Sequence, residues 1–355
     1  MFRHLTLSRW PLLLLGVVLG CVILQSVGRS VYYNVFPYRT PRFPLEEERI
    51  ASLSESSLKV DLVVASVIED DTAWLSRLPI PNLNVVRYVN NDAFARYQPP
   101  ASKGNEALIY LTYLHDNYPN FPDVAIFVHG QETAWHVEGT LLRNMTFLLS
   151  QLDLHKIQEK GYFNLRRSWK IGCPTWIDTT KTYWHYKHEE EPHFKEAWAA
   201  NFDNDTVPDK LGGPCCSQFA LSRETMLKPS KEQYRKHMDW LMQSTLKNRV
   251  SGRLWEHMWP KLFKGEANDC GHSERTDLCE VYGLCWEGQK ELGEYKELWE
   301  DVERLKTRMS FFYAIWAPRR AGEARRRMPV LVAEIERGLV GAWRMGKERR
   351  EKNGV

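Results

Sequence analysis

The 355-residue sequence lacks the glycine-rich signatures of nucleotide chemistry: it has neither a G-x-x-x-x-G-K-[ST] phosphate loop nor a G-x-G-x-x-G turn. It also lacks the G-x-S-x-G elbow of serine hydrolases. Nucleotide-triphosphatase, dinucleotide-enzyme and serine-hydrolase readings therefore lose support. Charge of one sign is scarce: 48 Lys and Arg stand against 45 Asp and Glu, a net +3 that marks no nucleic-acid binder. No internal repeat is present. The hydrophobic share of 43% suits one large α/β domain or two smaller ones. The 14 Trp and 15 Tyr fit a well-packed core first, and a groove for sugars or other flat ligands second.

Arg3, His4 and Arg9 precede an uncharged apolar run from Pro11 to about Val27. That run is near the lower end of the roughly 17–25 residues that span a bilayer, and longer than the roughly 7–15-residue core of a cleaved signal peptide. The expected organisation is a cytosolic end (1–9), a transmembrane signal anchor (10–28), a Pro-, Glu- and Ser-rich stem (29–58) and an α/β domain (59–265). A cysteine-containing loop (266–288) and a charged helical tail (289–355) follow. A short basic cytosolic end makes this a single-pass type II membrane protein with its body on the lumenal face of the Golgi or endoplasmic reticulum. A cleaved signal peptide is the alternative.

Six of the seven cysteines lie in the lumenal part, enough for up to three disulfides in an oxidising compartment. The expected pattern has Cys173 reaching the Cys215-Cys216 pair and Cys270 closing a local loop with Cys279 or Cys285. Zinc is the competing reading of these cysteines, but their spacing matches no common finger. Asn144-Met-Thr and Asn204-Asp-Thr are glycosylation sequons, relevant if the chain is lumenal.

Within the body, Val60–Ser66 and Asn84–Val89 read as strands, and the apolar positions Ala107 to Leu114 as a helix stopped at Tyr118-Pro119-Asn120. Val124–Val128 is a continuous apolar run suited to a strand covered on both faces. Strand and helix alternate, which predicts an α/β fold: a mostly parallel sheet flanked by helices. Gly139 to Ile157 reads as one helix, Gly213–Ser222 as a loop entering a strand, and Ser222 and Ser230 as helix starts. Trp255, Met258, Trp259, Leu262 and Phe263 share one helical face.

Immediately after the Val124–Val128 run stand His129, Gly130, Gln131, Glu132, Trp135 and His136. In open α/β sheets ligands bind beyond the carboxyl ends of strands, so this loop is the leading candidate site. His129 could bind metal, donate to phosphate or act as a base. Glu256, between Trp255 and Trp259, is placed to be a general base, unless it only pairs with Arg253 or Lys261. Asp70 and Asp71 follow the first strand and could hold Mn²⁺ or Mg²⁺, although Asp71 or Thr72 could equally cap the next helix. Asp92 after the second strand is a weaker metal candidate. Asp203-Asn204-Asp205 matches a D-x-D pattern but overlaps a sequon, and no D-x-D follows a predicted strand.

Four blocks, VDLVVASVIEDDTAWL, KGNEALIYLTYLHDNYPNFPDVAIFVHG with its following WH, GPCCSQFALSRE and SGRLWEHMWPKLF, resemble a family of mostly fungal proteins known as domain of unknown function 3431. That family commonly has Arg where this chain has Asn105. The layout of anchor, stem, α/β domain, disulfides and a late helix carrying Glu is similar to lumenal glycosyltransferases of the GT-A type. That similarity implies transfer of a sugar from a nucleotide-sugar donor to a small-molecule or glycan substrate. Glu256 would be the base, with Asp70 and Asp71 near the nucleotide or metal and His129, His136 and Gln131 lining the donor site. The rival expectations are a lumenal hydrolase built on His129, His136 and Glu132, and a non-catalytic membrane-anchored protein. The sequence leaves the oligomeric state open.

Overall fold

The computed structural model of the protein describes residues 57–170, 172–203, 205–309 and 315–353. The expected anchor and most of the expected stem lie outside these residues. Among the described residues no helix is long and apolar enough to cross a membrane. Two compact units are present: one contains the described residues up to Leu292 together with 341–353, the other spans 293–340.

The first unit is built on a five-stranded sheet. Its strands are β1 (Val60–Ser66), β2 (Leu83–Val89), β3 (Val124–His129), β4 (Tyr162–Asn164) and β7 (Phe219–Ser222), in the order β2-β1-β3-β7-β4. β1 pairs in parallel with β2 and β3, while β7 is antiparallel to both of its neighbours. The expected α/β class and mostly parallel sheet are therefore present, with β7 as the reversed strand. A separate two-stranded ribbon joins β5 (Ile177–Asp178) to β6 (Lys210–Leu211).

The helices are α1 (Glu106–Asp116), α2 (Met145–Gln151), α3 (Leu154–Lys160), α4 (Phe194–Asn201), α5 (Arg223–Leu227), α6 (Lys231–Gln243), α7 (Asn248–Lys264) and α8 (Glu274–Tyr282). In α1 every residue from Ala107 to Leu114 is buried, because the helix lies between the sheet and α6 and α7. The core joins Tyr110, Phe127, Phe219 and Trp259 ring to ring, with Tyr110 edge-on to both phenylalanines. Such edge-to-face pairs add to the area they bury. Among the described residues, 13 of the 24 Trp and Tyr side chains are buried.

Gly139–Ile157 is not one helix. A 3-10 turn at Gly139–Leu141 ends in the left-handed Leu142, and α2 and α3 then start separately at the caps Asn144 and Asp153. Each cap's carbonyl or carboxylate oxygen accepts a backbone N–H that a continuous helix would have satisfied internally. Asn144 is buried and its oxygen accepts from Phe147 N–H at 2.7 Å, so this sequon residue is a capping residue. Asn204 lies outside the described residues. Ser222 and Ser230 open α5 and α6 as expected, each accepting an N–H three residues on.

The disulfides correct the expected pairing. Cys173 joins Cys270, Cys215 joins its neighbour Cys216, and Cys279 joins Cys285. Cys173 and Cys270 meet because Gly212 and Gly213 allow the 172–174 and 268–270 segments to close on one another. A β-carbon on Gly212 would fall 2.2 Å from Pro174 O, and Gly213 N–H donates to Gly172 O. In the second unit the part of α9 (Gln289–Arg308) from Gly293 on runs beside the part of α10 (Pro318–Asn353) up to Val340. Gly338 packs on the Tyr295 ring and Arg327 pairs with Asp301 there, so the tail is helical as expected.

Candidate functional site

The site forms where the ends of β1 and β3 meet the start of β7. Because β7 runs antiparallel to β3, with Phe127 opposite Phe219, the residues just before β7 lie alongside the residues just after β3. His129 N–H donates to Gln218 Oε1 at 3.2 Å, and Gln218 Nε2 donates to His136 O at 3.3 Å. The buried Gln218 thereby ties the 130–136 loop to the sheet.

His129 Nδ1 and His136 Nε2 are 2.9 Å apart, so one ring must donate and the other accept. Burial lowers His129 to a pKa of about 4 and His136 to about 3, and in His136 the proximity of His129 and Arg166 adds to the effect. Both rings are neutral at physiological pH. His129 Nε2 is buried without a protein partner.

Asp70 reaches this loop from the end of β1. Its Oδ2 accepts Val67 N–H at 2.9 Å, Gln131 Nε2 points to Oδ1 at 3.4 Å, and its charge opposes the lowering of the His129 pKa. A β-carbon on Gly130 would lie 2.7 Å from Asp70 Oδ2 and 2.8 Å from the Ser66 side chain, so this position permits the approach only as glycine. Trp74 Nε1 donates to Gly130 O at 2.9 Å beneath it.

On the other side, Glu256 of α7 accepts Cys216 N–H at 2.6 Å through Oε1. Cys216 and Ser217 have φ of 94° and 45°, left-handed backbone that non-glycine residues adopt rarely. That backbone aims the Cys216 N–H at Glu256, while Ser217 Oγ accepts from Trp259 Nε1 at 3.3 Å and bonds the Glu106 carboxylate. Glu106 sits in the first turn of α1. It comes close because Gly252, one turn before Glu256, packs on the Gly104 backbone and the Asn105 side chain, where a β-carbon would meet Gly104 O at 3.0 Å. Lys103 Nζ fixes the same loop by donating to Ser244 O at 2.7 Å.

Burial, together with the negative charge of Glu106, raises Glu256 to a pKa of about 7. Glu106 is raised too, chiefly by burial. Two carboxyls with shifted pKa values at one strand tip are a pattern common in acid–base sites. Arg166 completes the wall. Its Nη1 lies 3.2 Å from Cys215 Sγ, and its guanidinium stands over the exposed Trp135 ring at 5.8 Å.

Of the expected residues, the fold thus gathers Asp70, His129, Gln131 and His136 at one loop and sets Glu256 against the turn before β7. Asp71 Oδ1 accepts Ala73 N–H and Asp92 Oδ1 accepts Phe94 N–H, each closing a local turn. Glu132 is engaged by Thr146 at 2.7 Å and by Arg77 at 2.9 Å. Asp203 and Asp205 pair separately with Lys236 and Lys261. Among the described residues Asp70, Asp71 and Asp92 form no carboxylate cluster for Mn²⁺ or Mg²⁺. The group that does converge is Cys215, Cys216 and Glu256. Its sulfurs are bonded to each other, and a metal needs thiolates. Neither set fits an oxygen-loving divalent ion.

Glu106 and Arg166 were not legible as site residues. Glu106 reads as an acid complementing a helix N-terminus, and Arg166 is one of many arginines in a segment without clear periodicity.

The family model described as protein of unknown function (DUF3431) matches residues 62–280, from β1 through α8. The chain belongs to this family. The match includes every site residue above and ends before the second unit. No curated protein and no solved structure matches the chain.

Proposed function

We propose that the protein is a lumenal glycosyltransferase in which Glu256 is the general base. The observation that carries this reading is a carboxyl with a pKa of about 7, held by Cys216 N–H beside a second raised carboxyl at the strand tips. A general base works best with a pKa near the operating pH. The Glu256 carboxylate takes the proton of an acceptor hydroxyl as that oxygen forms the new bond to the donor's anomeric carbon. The bond from that carbon to the nucleotide phosphate breaks, and its electron pair leaves with the nucleotide. Burial and the charge of Glu106 keep the Glu256 proton affinity high. The neutral His129–His136 pair and Asp70 line the donor side. The three disulfides support an oxidising compartment, consistent with a lumenal body behind an N-terminal anchor.

The test is a thermal-shift and donor-hydrolysis screen of the chain against nucleotide sugars, with and without Mn²⁺. Stabilisation by at least one nucleotide, and turnover that E256Q lowers roughly 10²–10⁴-fold, are expected. No stabilisation by any nucleotide overturns the assignment.

A further inference from the structure

Four large aromatic side chains stand at the surface within eleven positions of sequence: Trp176 (38% exposed), Tyr183 (62%), Trp184 (67%) and Tyr186 (61%). Most other aromatics of the first unit are in the core, so this segment is an exception that a packing account does not cover. It is also rigidly held. Asp178 N–H donates to Glu191 Oε1 at 2.9 Å, and the buried Glu191 carboxylate pairs with Lys181 at 2.9 Å. The Trp176 ring packs edge-on to His188, with centroids 4.9 Å apart.

The holding contacts lead to the candidate base. Arg253, one turn before Glu256 on α7, donates to Lys187 O at 3.2 Å and to the buried Glu190 at 3.3 Å. Arg249, a further turn back, pairs with Glu189. Glu190 is near enough to Glu256 to raise its pKa, and His188 near enough to His257 to lower that of the histidine. The aromatic segment and the Glu256 carboxyl therefore share one face of α7.

The chemistry of the strip is specific. Its rings alternate with groups that donate or accept hydrogen bonds: Thr182, His185 and Lys187, besides the two phenolic hydroxyls. Lys187 Nζ lies 5.7 Å from the Tyr186 ring centroid. No aliphatic side chain interrupts Lys181–His188. A pyranose ring presents C–H faces to aromatic planes and hydroxyl edges to polar neighbours, and this alternation suits it.

We infer that the Trp176–His188 segment is an oligosaccharide-binding platform that leads the acceptor chain to Glu256. The choice of ligand rests on the glycosyl-transfer reading, but the platform can be tested apart from catalysis. The experiment titrates the full-length protein, in detergent, with β-1,4-linked glucose and N-acetylglucosamine oligomers and with mannose oligomers, following tryptophan fluorescence. At least one oligomer should quench the signal saturably. W184A and Y186A, both at exposed positions, should weaken its binding tenfold or more with an unchanged melting temperature. Failure to bind any oligomer, or binding indifferent to both substitutions, overturns the platform even if nucleotide sugars stabilise the protein. Oligomer binding lost in W184A without any nucleotide effect would retain the platform and reject the transferase.

Discussion

Glu256 and the His129–His136 pair pull stability in opposite directions with pH. Glu256 has a folded pKa of about 7, above its ordinary 4.5, so between these values the folded state holds a proton that the unfolded chain releases. Its contribution is complete below about pH 4.5 and lost as pH rises through 7; the ceiling is about 3 kcal/mol. The histidines are depressed to about 4 and about 3, so their stabilisation is complete above about pH 6.5 and lost as pH falls toward 4. Melting temperature plotted against pH should therefore pass through a maximum. E256Q should flatten the limb between pH 5 and 7 and leave the acid limb, and H129Q should do the reverse. As a base Glu256 must be ionised, so turnover should rise with pH through about 7 even as stability falls. Turnover independent of pH across 6–8 would exclude Glu256 as the base.

At the scale of elements, two short contacts set the site. Gly130 lets the β3 loop lie on Asp70, so G130A must displace Asp70 or the loop. We expect a loss of roughly 1–3 kcal/mol, as in overpacked sites, and a fall in donor affinity larger than the fall in stability explains. Denaturant melts beside nucleotide titrations separate the two. Asn144 opens α2, so N144A should cost about 0.5–2 kcal/mol through the lost cap. Because its side chain is buried, N144Q should leave the electrophoretic mobility of the lumenally expressed protein unchanged. A downward shift would show that Asn144 carries a glycan after all.

For the whole molecule, the Cys173–Cys270 disulfide is the long-range tie, with a sequence separation of 97. It holds the segment after Arg167 to the segment before α8, where the buried Arg167 pairs with Asp269 at 3.2 Å and Asp277 at 2.6 Å. C173S/C270S should lower stability by roughly 2–5 kcal/mol. A double substitution with no effect on chemical denaturation would mean that the Arg167 network alone closes this side. Removing one partner of that buried ion pair, as in R167M, leaves charge uncompensated and should be at least as costly as losing the disulfide.

The sequence by itself determined the elements whose signal is local. Val60–Ser66 and Val124–His129 are strands because continuous apolar, β-branched runs suit a sheet covered on both faces. Ser222 and Ser230 were readable as helix starts because a hydroxyl caps the N–H groups next to it in the chain. The position of His129 at the end of a strand was readable because a strand end is a local feature too. The one long helix expected over Gly139–Ile157 failed where two capping side chains, Asn144 and Asp153, outweighed the apolar period. Only the tertiary structure decided what meets across long separations. The reversal of β7 carried Ser217 and Gln218 to His129, the absent side chain at Gly252 let Glu106 approach Glu256, and burial then raised both carboxyls. Cysteine pairing was decided at that level as well, since it depends on where segments 97 residues apart come to rest. Proton affinity depends on the solvent and charge around a group, and no residue type carries that information alone.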